Sequence, residues 1–252
     1  MLITLLKFFD PLVVFCFQLH DFVSNFIAKN FLLIKRILLS IAFLSLFWVL
    51  FPAMRRDFGK YAEMMLLGIL FLSPLSKIFR IRLLSQLMGL RREFGILMGC
   101  FALVHGVSYF IDPTSFALDI APYLNADFFS MHPLFYFGIL SLLLVLPLLL
   151  TSNNFSLRAL GGKRWKMLHR IVYILLLTVL LHIFFIKNGR RGYDLLEITQ
   201  PLLIVFGYIL LKVLAWKNFL PFLRDAIIYV SARYDRYVAV KKESTRPDAV
   251  SL

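Results

Sequence analysis

The stretch KMLHRIVYILLLTVLLHIFF, Lys166 to Phe185, is apolar enough to cross a membrane yet carries two histidines, His169 and His182. About 20 residues of α-helix span the hydrocarbon core of a bilayer. An imidazole placed there is costly unless a ligand or a hydrogen bond satisfies it. The pair is separated by thirteen residues. At about 100° per residue this falls about 140° short of four full turns. An ideal straight helix therefore cannot show both rings on one face, so either this span is distorted or His169 points elsewhere.

Five further apolar runs surround this one, giving six candidate spans: Ile37–Ala53, Ala62–Phe79, Phe94–Ile111, Pro133–Leu150, Lys166–Ile186 and Ile198–Trp216. The chain has 252 residues, 60% hydrophobic and only 17% charged, with 27 Phe and a mean hydropathy of +0.81. A soluble domain of this length does not need so much apolar surface. The expected fold is all-α, a polytopic bundle of six transmembrane helices with flanking interfacial helices. Its expected organisation is an amphipathic segment over 1–30, the membrane domain over 31–216, and an amphipathic helix with a polar cytoplasmic tail over 217–252. The start lacks a basic region followed by a small-residue cleavage site, so no cleavable signal is expected.

The formal net charge of +14 is placed for topology rather than for nucleic acid. Lys77, Arg80, Arg82, Arg91 and Arg92 lie between spans two and three, and Arg158, Lys163, Arg164 and Lys166 between spans four and five. The loop between spans three and four has Asp112, Asp119 and Asp127 and no Lys or Arg. The positive-inside rule then puts both termini in the cytoplasm and the acidic loop outside. Basic loops of this kind also meet anionic lipid or an acidic partner. The acidic residues are read as solvating their loop.

Outside the bundle, Phe15, Leu19, Phe22 and Phe26 form an apolar stripe opposite Gln18, Asp21, Asn25 and Lys29. That pattern predicts a helix lying in the membrane interface. His20 falls near the polar stripe and is expected to face solvent or headgroups, a heme-ligand role being the alternative. Phe219, Phe222, Leu223, Ile227 and Val230 against Arg224, Asp225, Arg233 and Asp235 predict a second such helix. Cys16 and Cys100 sit in apolar surroundings without a CxxC partner; both are expected to pack in the core, with no disulfide argued.

Span three contributes a third intramembrane histidine, His105, in GCFALVHGVSYF. It lies about 16 Å along an outward-running helix. His182 lies about 20 Å beyond His169 on another outward-running helix. His105 and His182 should therefore meet at one depth, in the outer half. Two imidazoles facing each other across a bundle are a standard means of holding a b-type heme by its axial positions. Gly106 would let a flat macrocycle approach the backbone. The alternatives are histidines that hydrogen-bond within the bundle or relay protons. At the inner level a symmetrical second heme would need a histidine at position 92, where Arg92 stands beside Arg91. These arginines, with Arg170 and Arg164 near His169, suit heme propionates or lipid phosphates. His169 is a candidate ligand of a second heme, or else contacts a propionate, a phosphate or a neighbouring helix. His132 opens span four as an interfacial residue.

The run LRREFGILMGCFALVHGVSYF, with TSNNFSLRALGGKRWKMLHRIVYILLLTVLLHIFF, GKYAEMMLLGILFLSPLSKIF and MHPLFYFGIL, resembles the signatures of the bacterial MsrQ (YedZ) family. That family lies within the wider ferric-reductase-like transmembrane group, and the likeness runs from about Gly59 to Ile186. It implies a heme b protein of the inner membrane, part of an oxidoreductase system rather than an enzyme by itself. Electrons would come from a cytoplasmic flavin reductase or quinol and pass to a soluble periplasmic methionine-sulfoxide reductase. FMN is also associated with the family. His105, His169 and His182 match its histidines. A ferric or cupric metalloreductase and a proton-coupled transporter are the rival readings.

Overall fold

The computed structural model describes residues 10–121, 133–191 and 195–217, with isolated positions at 232, 236 and 239. His132, Asp127 and the expected C-terminal amphipathic helix and tail lie outside them, apart from the isolated positions. The described residues form helices and connecting turns, and no strand occurs among them. The helices are α1 Asp10–Lys29, α2 Phe31–Ser45, α3 Arg55–Phe79, α4 Arg82–Gly89 and α5 Arg91–Ile111. They are followed by α6 Pro133–Leu150, α7 Asn154–Leu168, α8 Val172–Arg191 and α9 Leu195–Lys217. The chain is thus an all-α polytopic membrane bundle. Five helical stretches are long and apolar enough to cross a membrane, and a sixth apolar stretch, Pro201–Trp216, is shorter.

The first span begins earlier than the apolar run suggests, at Phe31 rather than Ile37, and ends by Leu50. Lys35 and Arg36 mark the early turns as polar in the sequence, but Lys35 lies 3.5 Å from the Glu93 carboxylate of α5. A paired cation can sit inside a membrane helix end. The far end tightens into a 3₁₀ segment over Leu46–Leu50, and Pro52 follows.

α5 is the middle of the bundle, packed on α3, α2 and α6, while α8 packs on α6 and α9 on α3 and α8. Leu66, Leu70, Met98, Val145, Leu175, Leu180 and Tyr208 form one buried cluster; Ala42, Phe58, Leu97, Cys100, Phe101 and Val104 form another. Large apolar residues such as Leu202, Leu203, Phe206 and Trp216 lie on the outside, as lipid-facing helices require. Ser141 donates to Thr178 at 2.9 Å, a buried polar link between α6 and α8.

α1 presents Phe15, Leu19, Phe22 and Phe26 outward, as its stripe predicts. Its polar side is not solvated throughout, because it packs on α4. Arg82 donates to the Asn25 side chain at 3.0 Å, and Gln86 to the Ser24 carbonyl at 3.0 Å. His20 is accordingly only 19% exposed, 3.4 Å from Asp21, less open to solvent than the polar stripe alone suggests. Cys100 is buried as expected, whereas Cys16 is exposed because it falls on the outward side of α1.

Candidate functional site

The histidine stretch is distorted where the spacing demands it. α7 is broken at Gly161, whose φ of +71° is a conformation that glycine adopts without a Cβ penalty. A 3₁₀ turn over His169–Ile171 then separates α7 from α8. The tighter turn changes the rotation between His169 and His182, and the two rings serve different places.

His182 meets His105. Their ring centroids are 6.3 Å apart with an interplanar angle of 69°. Each ring is oriented by a main-chain carbonyl: Nδ1 of His105 bonds the Arg55 carbonyl at 2.9 Å, and Nδ1 of His182 the Leu134 carbonyl at 2.8 Å. A carbonyl only accepts, so Nδ1–H is the donor in each, and the lone pair is left on Nε2.

The acceptors are early residues of α3 and α6, and each is followed four positions on by a glycine under the same imidazole. A Cβ on Gly59 would stand 2.8 Å from the His105 ring, and one on Gly138 2.8 Å from the His182 ring. Both seats repeat one device, a first-turn carbonyl at position i and a bare backbone at i+4. Neither glycine stands out in composition or periodicity; the signal is the i, i+4 relation at the start of two spans, α3 and α6. Gly106 has a different role from the expected one. A Cβ there would meet Leu142 at 2.9 Å, so it lets α5 and α6 approach closely.

At the other level, His169 stacks on Trp165 with centroids 3.9 Å apart. Its Nε2 lies 3.2 Å from the Thr151 hydroxyl. That hydroxyl donates to the Pro147 carbonyl at 2.6 Å, so it accepts from His169, whose lone pair then lies on Nδ1. Trp165 donates to the Thr151 carbonyl at 2.8 Å. Arg92 is drawn away from this ring: it donates to Glu93 at 2.9 Å and to Asn154 at 2.6 Å. Arg91 acts on His169 electrostatically, and Arg170 is exposed.

Asp112, expected to solvate its loop, instead accepts from Arg55 at 3.0 Å and from the Ser115 hydroxyl at 2.6 Å. These contacts, Ser115 first and Arg55 with it, hold its carboxyl below the usual carboxylate range.

Residues 58–180 match the model of the ferric reductase like transmembrane component family. The chain is 30% identical over 172 residues to the protein-methionine-sulfoxide reductase heme-binding subunit MsrQ of Herminiimonas arsenicoxydans, covering 65% of this chain and 69% of that one. The Brucella ovis protein of the same description is 31% identical over 168 residues, 66% of this chain and 67% of its own. Magnetosome protein MamZ of Magnetospirillum gryphiswaldense is 31% identical over 137 residues, 54% of this chain but only 20% of that longer protein. No solved structure matches. The chain belongs to the MsrQ family of ferric-reductase-like transmembrane proteins.

Proposed function

We propose that this chain is a membrane electron-transfer subunit that holds a b-type heme between His105 and His182. The observation that carries the reading is the geometry of the facing pair. Imidazoles that share one metal, each nitrogen about 2 Å from it, have ring centroids about 6 Å apart; here they are 6.3 Å apart. The relatives' description as heme-binding subunits supports the same reading. When bound, heme supplies a one-electron iron couple.

The chain's own residues do the rest. His105 and His182 offer Nε2 from opposite helices, and the two carbonyls fix ring orientation and tautomer while raising ligand basicity. Gly59 and Gly138 admit the rings to the helix surfaces. Buried Val104 and Leu180 keep water from the neighbourhood. A proton relay, the rival use of these histidines, would exchange protons at both ring nitrogens. With Nδ1–H bound to a carbonyl in each ring, that reading is disfavoured.

Electrons enter, in this proposal, from a cytoplasmic flavin reductase or quinol on the basic face and leave to a periplasmic methionine-sulfoxide reductase. Both termini are cytoplasmic and the membrane is the bacterial inner one. His169, Arg91 and Arg170 line the entry level, where a second heme, FMN or lipid phosphate would meet them; Arg92 reaches it only by leaving Glu93 and Asn154.

The test is spectroscopic. The purified chain should show a Soret band and a low-spin reduced spectrum with dithionite, and His105→Ala and His182→Ala should each abolish it. A chain expressed with ample heme that shows no Soret band overturns the proposal. In His169→Ala, a halved heme-to-protein ratio marks a second site and an unchanged ratio marks a single one.

A further inference from the structure

We propose that Arg55 is a positioning residue for His105, and that Asp112 acts on the imidazole through it; the inference rests on reading His105 as an iron ligand. Arg55 is the first residue of α3, and the preceding Met54 gives the helix no side-chain cap. An uncapped first turn leaves its N–H groups without helical partners, whereas the Arg55 carbonyl is held in the helix ladder and is also the acceptor that orients His105 at 2.9 Å. A second restraint comes from across the bundle. Nη1 of Arg55 donates to Asp112 at 3.0 Å, and the guanidinium lies over the Tyr109 ring at 4.2 Å. Asp112 is itself fixed by the main-chain N–H of Ser115 at 3.2 Å and its hydroxyl at 2.6 Å.

The ion pair is mostly withdrawn from water, its side chains 15% and 19% exposed, so its attraction is less screened than that of a surface pair. The clamp therefore holds the Arg55 backbone against α5, the helix that carries His105. The His182 acceptor, the Leu134 carbonyl, belongs to α6 and to neither partner of this ion pair. The two seats are alike in backbone geometry, and Arg55 and Asp112 act on one of them. A firm Nδ1–H bond makes the imidazole a stronger donor to iron and favours the ferric state. Loosening the clamp should weaken that bond on the His105 side alone, with an upward shift in midpoint potential.

The experiment uses the full chain in detergent, labelled with ¹⁵N-histidine, with His105 resonances assigned by their loss in His105→Ala. Asp112→Asn and Ser115→Ala are expected to speed exchange of the His105 Nδ1 proton and leave His182 unchanged. In heme-loaded protein the same variants should keep their heme, alter the low-spin g-values and raise the midpoint potential, with Asp112→Glu restoring both. Lys60→Gln, which removes an exposed pair to Asp57 on the same helix, should move neither. Unaltered His105 exchange in both variants overturns the clamp, even if the potential shifts, since charge then acts only through space. Should Asp112→Asn fail to accumulate, Ser115→Ala, which changes no charge, decides. A wild-type chain without heme defeats the iron-ligand reading alone, and the exchange measurement still judges the clamp.

Discussion

A methyl group is absent at Gly59 and at Gly138, and each absence is filled by an imidazole. Replacing either glycine with alanine puts a Cβ 2.8 Å from ring atoms, which forces the histidine off its carbonyl. Overpacking of this kind costs about 1–3 kcal/mol. Gly59→Ala and Gly138→Ala should each weaken heme retention roughly five- to 150-fold, read as heme-to-protein ratio after dilution. Gly68→Ala, where a Cβ meets nothing within 4 Å, should leave it unchanged. Asp112 gives a pH test. Its carboxyl is held below its ordinary value of 3.8, so the ion pair contributes stability above that value and loses it as pH falls through the lower, folded one. Thermal unfolding followed from pH 7 downward should show the difference between wild type and Asp112→Asn persisting to about pH 4 and shrinking below it. The histidines were legible in the sequence because polar rings among leucines need a reason. The glycine seats were not, since they belong to helices distant in sequence and only tertiary packing brings them to the rings.

Among the helices, the informative one is the broken span. The angular mismatch between His169 and His182 announces a distortion, and the 3₁₀ turn over His169–Ile171 supplies it. Which direction His169 would take was not legible, because its partners Thr151 and Trp165 are fixed by the break at Gly161 and by the end of α6. The start of α5 hides a second feature. Glu93 is 1% exposed between Lys35 and Arg92, and its Oε2 is buried without a hydrogen bond. Removing one member of a buried ion pair costs about 3–5 kcal/mol, and both cations here retain some access to water. Glu93→Ala should therefore lower the melting temperature in detergent, with a cost near the lower end, about 3 kcal/mol. Lys35→Ala should cost less, because Arg92 still neutralises the carboxylate. Equal losses in the two variants would count against this network.

Across the whole molecule, the alternation of basic and acidic loops and the amphipathic α1 predict a topology that can be probed with a thiol. Cys16 lies on the apolar side of α1 and Cys100 is buried, so the thiol is placed on the exposed polar stripe: in a Cys16→Ser chain, Lys29→Cys should be labelled by a membrane-impermeant maleimide in inside-out vesicles and not in right-side-out ones. Cys100→Ser should leave that pattern unaltered. Labelling only from the outer face would invert the proposed orientation. The membrane class and most span positions were readable from hydropathy. The start of the first span was not, because the charge that seemed to exclude its early turns is neutralised by a residue on another helix. The two seats carry a further electrostatic consequence. Arg55 and Leu134 lie in the first turns of α3 and α6, so the positive ends of two helix macrodipoles, each equivalent to about half a charge, flank the facing histidines. His105 and His182 lie six and nine residues short of the ends of their own helices, beyond the last turn where a negative end acts. In the proposed reading, an electron arriving between the rings would be stabilised by the backbone itself, before any charged side chain contributes.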